Sequence, residues 1–258
     1  MSKISGTGIR ELMLCDTHAA KAMWLSPSQD KLKALSDMQL KRPNRALVVI
    51  GGASLMSPQV QARMQTVFDR VLAPLADELD LTVLDGGTDA GVIHMMGQAR
   101  HTTQGRFALI GVAPQGKVKL ADQEEGDGKR SLHALEPNHT HFFLVPGDSW
   151  GAESSWLGEF ASLISGDCPS ITVLINGGKT SLKDLRTNLE AGRSAIALSG
   201  SGRLADKITA AIDGDPIDDE YPEIPDLVQT YQASNKLFSI DVFTPTETLR
   251  QYLKQYFT

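Results

Sequence analysis

The chain has 258 residues, 41% hydrophobic and 22% charged, a composition that supports a full apolar core and excludes wholesale disorder. Its 25 basic and 31 acidic residues leave a formal charge of −6, which argues against a general nucleic-acid or anionic-membrane surface but leaves room for a local basic pocket. No apolar run is long enough to span a bilayer and no basic segment followed by an apolar stretch opens the chain, so a cytoplasmic protein without membrane insertion is expected.

Residues 1–43 are expected to be an N-terminal helical extension, with short helices at Glu11 to Leu25 and Asp30 to Leu40. The core pattern starts at Arg45-Ala46-Leu47-Val48-Val49-Ile50, a buried-strand run closed by Gly51-Gly52. Ser57-Pro58 then supplies a helix cap and a proline at the first helical position, and Val60, Met64, Val67, Val71, Leu72 and Leu75 carry that helix's apolar face. Strands follow near 81–85, 107–112, 139–145, 170–175 and 194–198, and helices near 89–103, 151–165, 180–192 and 203–213. This β-then-α order with continuous apolar strands predicts an α/β fold, a Rossmann-like, doubly wound, mostly parallel sheet with helices on both faces. Gln115 to Asn138, polar and containing Glu124-Glu125-Gly126-Asp127-Gly128-Lys129-Arg130, is a mobile surface loop or a ligand-gating one. Asp213 to Pro225 is an acidic, proline-containing, solvated excursion, after which Phe238–Phe243 alternates like a strand and Thr244-Pro245 starts a last helix. The expected organisation is therefore 1–43, an α/β core over 44–213, and a 214–258 addition packed on it. Cys15 and Cys168 form no CxxC pattern, which indicates neither a disulfide framework nor a zinc site.

Five glycine-containing turns each follow an apolar run: Gly51-Gly52, Gly86-Gly87-Thr88 to Gly91, Gly147-Asp148-Ser149-Trp150-Gly151, Gly177-Gly178, and Ser199-Gly200-Ser201-Gly202-Arg203. Glycine lets backbone N–H groups approach an anion, and the helix that opens next points its positive end the same way. In parallel sheets such turns meet outside the carboxyl ends of the strands, where a ligand binds. Tight βα turns also need glycine for purely structural reasons, a reading that weakens for the set because Ser, Thr and Asp recur beside the glycines. None is a Walker A motif: Gly177-Gly178-Lys179-Thr180 has its ending, but Val173 occupies the first glycine slot. Arg203 could hold a phosphate by paired hydrogen bonds or pair with Asp206 at the surface. Trp150 could stack on a base or pack in the core, and Glu153 could favour a helix dipole, contact ribose hydroxyls or act as a general base. His139 and His141, flanking Thr140 in the expected strand, would face one side, but no third ligand of matching geometry accompanies them and no metal site is expected. Gly147-Asp148-Ser149-Trp150-Gly151 also fits the nucleophile elbow, yet the last histidine, His141, precedes Ser149 rather than following it.

Asp85-Gly86-Gly87-Thr88-Asp89-Ala90-Gly91-Val92-Ile93-His94 and Ile110-Gly111-Val112-Ala113-Pro114-Gln115-Gly116 resemble the N-terminal cytosolic region of melastatin-type transient receptor potential channels. Asn138-His139-Thr140-His141-Phe142, Trp150-Gly151-Ala152-Glu153 and Ser199-Gly200-Ser201-Gly202-Arg203-Leu204-Ala205-Asp206 follow in the same order. Together, over about residues 44–213, they resemble the LSDAT domain of the SLOG superfamily. The resemblance implies a Rossmann-like sheet that senses or processes nucleotide-derived ligands, with ADP-ribose or an NAD-related compound as the leading candidate and no obligatory cofactor. It implies Gly86, Gly87, Thr88 and Gly91 as a first phosphate loop, Gly151 and Glu153 as a second, and Ser199, Gly200, Gly202 and Arg203 as its closure. The superfamily's phosphoribohydrolases carry Pro-Gly-Gly-x-Gly-Thr-x-x-Glu. Here Pro146-Gly147-Asp148-Ser149-Trp150-Gly151-Ala152-Glu153 lacks the second glycine and the Gly-Thr pair, and the glutamate slot falls on Ser154. Ligand sensing is the leading expectation. An N-glycosidase using Glu153 and a protein-interaction scaffold with a vestigial pocket are the alternatives, and a homo-oligomer, a dimer, is the expected assembly.

Overall fold

The computed structural model describes residues 8–15, 18–119, 132–217 and 220–258. Strands β1 (Ile9–Cys15) and β2 (His18–Trp24) precede helix α1 (Lys31–Asp37) and strand β3 (Ala46–Gly51). Helix α2 (Pro58–Val67) runs through a π-helical turn at Phe68–Leu72 into α3 (Ala73–Glu78), and β4 (Thr82–Asp85), α4 (Gly91–Thr102) and β5 (Leu109–Pro114) follow. Two-residue strands β6 (Val118–Lys119) and β7 (His133–Ala134) lead to β8 (His141–Val145), α5 (Ser154–Ser165), β9 (Ser170–Ile175), α6 (Lys179–Glu190), β10 (Ser194–Ser199) and α7 (Arg203–Asp213). The chain ends with α8 (Ile224–Ala233), β11 (Leu237–Asp241) and α9 (Thr246–Lys254).

The nine-stranded sheet has the order β1-β2-β8-β5-β4-β3-β9-β10-β11, parallel throughout except for the antiparallel β1–β2 pair. From β3 the chain builds outward through β4, β5 and β8, then returns to β3's other side for β9, β10 and β11, so the strand order reverses beside β3. Alternation along β3 feeds two cores. Ala46, Val48 and Ile50 pack with Leu35, Leu157, Phe160, Leu185, Leu204 and Leu227 from α1 and α5–α8. Leu47 and Val49 pack with Met64, Phe68, Leu72, Met96 and Leu253 from the α2–α3 helix, α4 and α9 on the opposite face. Both faces of the sheet are covered, which is why its inner strands are uninterrupted apolar runs.

Ser57 caps α2 as expected, its side chain accepting from Val60 N at 3.3 Å. The N-terminal segment corrects the sequence reading. The expected helix at Glu11 to Leu25 is instead the β1–β2 hairpin, and β2 pairs with β8. Helix propensity is a weak preference, and Ala20 and Ala22 gain burial against Phe142 and Leu144 when extended. The acidic excursion is also less solvated than its composition implies: Tyr221 and Ile224 are buried, and Ile224 opens α8, which the sequence reading did not anticipate. At the C-terminus, Arg63 of α2 donates Nε to Val242 O at 2.6 Å and also reaches Thr244 O. Glu78 of α3 meets Arg250 and Lys254 of α9.

Candidate functional site

Beside β3, where the strand order reverses, a cavity of about 640 Å³ opens at the strand ends. Its floor is Val49 and Ile50; one wall is Gly51–Ser54, a second is Gly86, Thr88, Ala90, Gly91 and Ile93, and a third is Glu153, Leu157, Thr180, Ser181 and Asp184, with His133 and Trp150 completing the lining. Helices α4 and α6 both begin here, so two positive helix ends converge on one space. The volume is that of a small-molecule site.

Two loops owe their shape to glycine. Gly51 has φ +138°, and a Cβ there would lie 1.8 Å from Ile175 O, so only glycine lets the loop after β3 press against the end of β9. Gly87 has φ +69°, and its Cβ would come within 2.8 Å of Gly111 Cα. Gly87 therefore packs backward on β5 and does not line the cavity, while Gly86, Thr88 and Gly91 do.

The other sequence-selected residues divide in the same way. Trp150 and Glu153 line the cavity, whereas Gly147, Asp148, Ser149 and Gly151 do not. Gly147 O accepts from Gly116 N at 2.8 Å, and Gly151 is held by Glu153 Oε2 on its N–H (2.8 Å) and Lys183 Nζ on its carbonyl (2.6 Å). Gly177 and Gly178 are displaced from the lining by Thr180 and Ser181. None of Ser199, Gly200, Ser201, Gly202 and Arg203 lines it. Arg203 is exposed, its guanidinium lying over Gly178, and Asp206 Oδ1 accepts from Gly200 N at 2.7 Å. Ser201 Oγ accepts from Asn176 N at 2.8 Å, a structural duty. The reading of Trp150 as a core residue does not hold: it is 39% exposed, with His133 edge-on at 5.2 Å. Ser149 is exposed and, among the described residues, no histidine hydrogen-bonds to it. Of the long Gln115–Asn138 connection, 120–131 lies outside the described residues, and with it Glu124–Arg130.

A family model described as "SLOG in TRPM, prokaryote" matches residues 44–249. The chain belongs to that family. The match of this SLOG chain runs past 213 and takes in β11. It is similar to transient receptor potential cation channel subfamily M member 2 of Mus musculus, 26% identical over an alignment 201 positions long that covers 64% of this chain and 13% of the channel. The subfamily M member-like 2 channel of Nematostella vectensis is 27% identical over an alignment 206 positions long that covers 66% of this chain and again 13% of the channel. The chain thus corresponds to a small fraction of those proteins' length. The crystal structure of the protein TM1055 is 19% identical and covers 82% of this chain and 99% of that one, with a TM-score of 0.48.

Several residues in and around this cavity escaped the sequence reading. Asp184, from α6, lines the cavity near Glu153; burial and the Glu153 carboxylate push its own carboxyl up to about 7. Burial likewise holds Glu153 above the usual carboxylate range, against the opposing hydrogen bonds to its oxygen. Asn176 donates Nδ2 to Ser54 O (3.1 Å) and to Ser201 O (2.9 Å), tying the loops after β3, β9 and β10 together. Beneath the Gly86–Gly91 loop, His139 is sealed between Asp85 and Glu136, and the loop's own backbone bonds Ala134 O and Glu136 N. His139 lies before β8 rather than in it. His141, within β8, has different neighbours, and burial with nearby Lys21 pushes it down to about 4, so the two histidines form no common site. Asp89, His94 and Glu136 do bring one ligand atom each within 4.8 Å of one another. The Glu136 oxygens already accept from His139 and Asn138, and His94 Nδ1 lies 2.6 Å from Asp89 Oδ1, so the group is internally paired. No helix of the described residues is long and apolar enough to cross a membrane.

Proposed function

We propose that this protein is a sensor that binds a nucleotide-derived small molecule, such as ADP-ribose or an NAD-related compound, in the cavity beside β3. The observation that carries the reading is the convergence of the Gly51–Ser54 and Gly86–Gly91 loops with the N-terminal ends of α4 and α6 on one space. Backbone amides of those loops hold the phosphates, Glu153 contacts ribose hydroxyls, and Trp150 offers a half-exposed ring to the base. Gly87, Gly147, Gly151, Gly177, Gly178 and Ser199–Arg203 lie outside the lining, Arg203 with its guanidinium over Gly178. The relatives are named as cation channels; no channel activity is assigned to this chain. A cytoplasmic homodimer without an obligatory cofactor belongs to the same proposal.

An N-glycosidase is the second reading, favoured by the two buried carboxyl groups of Glu153 and Asp184 on one cavity wall. Titration calorimetry and thermal unfolding with ADP-ribose, NAD and AMP test both. Binding without release of adenine or nicotinamide supports the sensor, release abolished by Glu153→Gln supports the enzyme, and no binding by any of the three overturns both.

A further inference from the structure

We propose that Asp184 is a second ligand-reading carboxylate of this cavity, acting with Glu153 to accept hydrogen bonds from a vicinal diol and so to select a ribose over its 2′-deoxy counterpart. The inference rests on the nucleotide reading above and goes beyond it by naming the residue that enforces sugar choice.

Asp184 is 9% exposed, and what remains exposed forms part of the cavity wall beside Ser181, one turn earlier on α6. Its Oδ1 is sealed from solvent and has only the Ser154 hydroxyl beside it as a donor, so a ligand in the cavity meets the remaining, exposed part of the carboxyl. The side chain performs no structural task on its own helix: the bond from Asn188 Nδ2, at 2.8 Å, goes to the Asp184 backbone carbonyl. Nor does the nearby cation neutralise it by contact, because Lys183 Nζ is bonded to Gly151 O. The Ser154 hydroxyl, at the start of α5, is the buried neighbour of that oxygen and is too poorly aligned to satisfy it fully. Glu153 uses Oε2 to accept from Gly151 N. An acceptor stripped of water and left short of partners is costly, and native proteins keep few of them.

The chemistry of the lining identifies what the exposed part of the Asp184 carboxyl would bind. The lining contains no lysine or arginine, and its acidic groups, Glu153 and Asp184, come from the start of α5 and from α6. A phosphate is repelled by the carboxylates and drawn to the amides of Gly51–Ser54 and Gly86–Gly91. The part of the ligand that faces Glu153 and Asp184 must then bring hydrogen-bond donors without negative charge. A sugar diol carries two such donors on adjacent carbons, one for each carboxylate. Burial and Glu153 raise Asp184 to about 7, with Lys183 and Ser154 opposing, which keeps the pair from holding two full charges when the cavity is empty.

The test is titration calorimetry of AMP and ADP-ribose, each against its 2′-deoxy form, on the full chain and on Asp184→Asn, with thermal unfolding of both proteins. The wild-type protein is expected to prefer the ribose form by about tenfold or more, the scale of one charge-assisted hydrogen bond. Asp184→Asn is expected to retain the 2′-deoxy affinity, to bring the ratio toward one, and to unfold at the same or a higher temperature because a desolvated charge is gone. Equal wild-type affinities, or a ratio that survives Asp184→Asn, overturn this inference while leaving nucleotide binding intact. An Asp184→Asn protein that unfolds several degrees lower shows a structural role and overturns it as well. Absence of binding by every nucleotide overturns the broader reading and this one with it.

Discussion

His139 Nε2 lies 2.8 Å from Asp85 Oδ1, and its Nδ1 lies 2.8 Å from Glu136 Oε2, with all three side chains fully buried beneath the Gly86–Gly91 loop. Burial pushes the imidazole down, but Asp85 and then Glu136 more than offset it and raise His139 from 6.5 to about 9. Hydrogen bonds from His139 and Asn138 overcome the burial of Glu136 and hold its carboxyl below the ordinary range. The group is a buried cation shared by two carboxylates, and it anchors the loop because Asp85 Oδ1 also accepts from Gly87 N at 2.8 Å.

A pH dependence of stability follows. The His139 contribution is fully present below 6.5 and is lost as pH rises through about 9, while the Glu136 contribution is present above 4.5 and is lost as pH falls through its lowered value. Stability is therefore expected to fall on the alkaline side between about 6.5 and 9. His139→Leu leaves two buried carboxylates without their cation and should cost about 3–5 kcal/mol near pH 6, with the alkaline slope abolished. Urea unfolding of both proteins across this range checks it, and an unchanged slope in the variant rules the mechanism out.

Gly97 gives an independent check on the same group. It sits inside α4, where alanine is ordinarily better by about 1 kcal/mol. A Cβ at Gly97, however, would lie 2.0 Å from the Glu136 carboxyl group. Gly97→Ala is expected to lower stability by about 1–3 kcal/mol, the scale of overpacking. The sign decides: an alanine variant with a raised unfolding midpoint would mean that Glu136 is not held against α4.

Much of this architecture was legible because it is local. Continuous apolar runs fixed the inner strands, and Ser57-Pro58 located the start of α2. The β1–β2 hairpin was not legible, because Ala19-Ala20-Lys21-Ala22-Met23 favours a helix until the edge of β8 offers it a partner. At the site, glycine was a true but ambiguous signal. Gly52 and Gly86 face the cavity, whereas Gly87 serves contact with Gly111, and a βα turn looks the same in either case. Asp184 and Glu136 carried no local mark at all. Their significance arises only when α6 meets Glu153 and when the segment before β8 meets α4.

Asn176 joins three loops, and its φ of +52° permits a clean separation of backbone from side-chain effects. Asn176→Gly keeps the backbone accessible but removes the bonds to Ser54 and Ser201 and the one accepted from Gly177 N. A loss of about 2 kcal/mol is expected, with faster hydrogen exchange at residues after β3 and β10. Alanine strains the backbone as well and should cost more. If Asn176→Gly unfolds at the wild-type midpoint, the loops are held by packing alone.

Trp150 separates binding from folding. The residue is 39% exposed, with His133 edge-on and Lys117 Nζ 5.9 Å from the ring centroid, so little core depends on it. Trp150→Ala should leave stability within about 0.5 kcal/mol, as expected for a surface site. Stacking on a base is worth roughly 1–3 kcal/mol, so affinity for AMP should fall by about five- to 150-fold. Ribose 5-phosphate has no base, and its affinity should not change. Equal losses for the two ligands would move the base away from this rim, and a large drop in stability would show that Trp150 works as a packing residue.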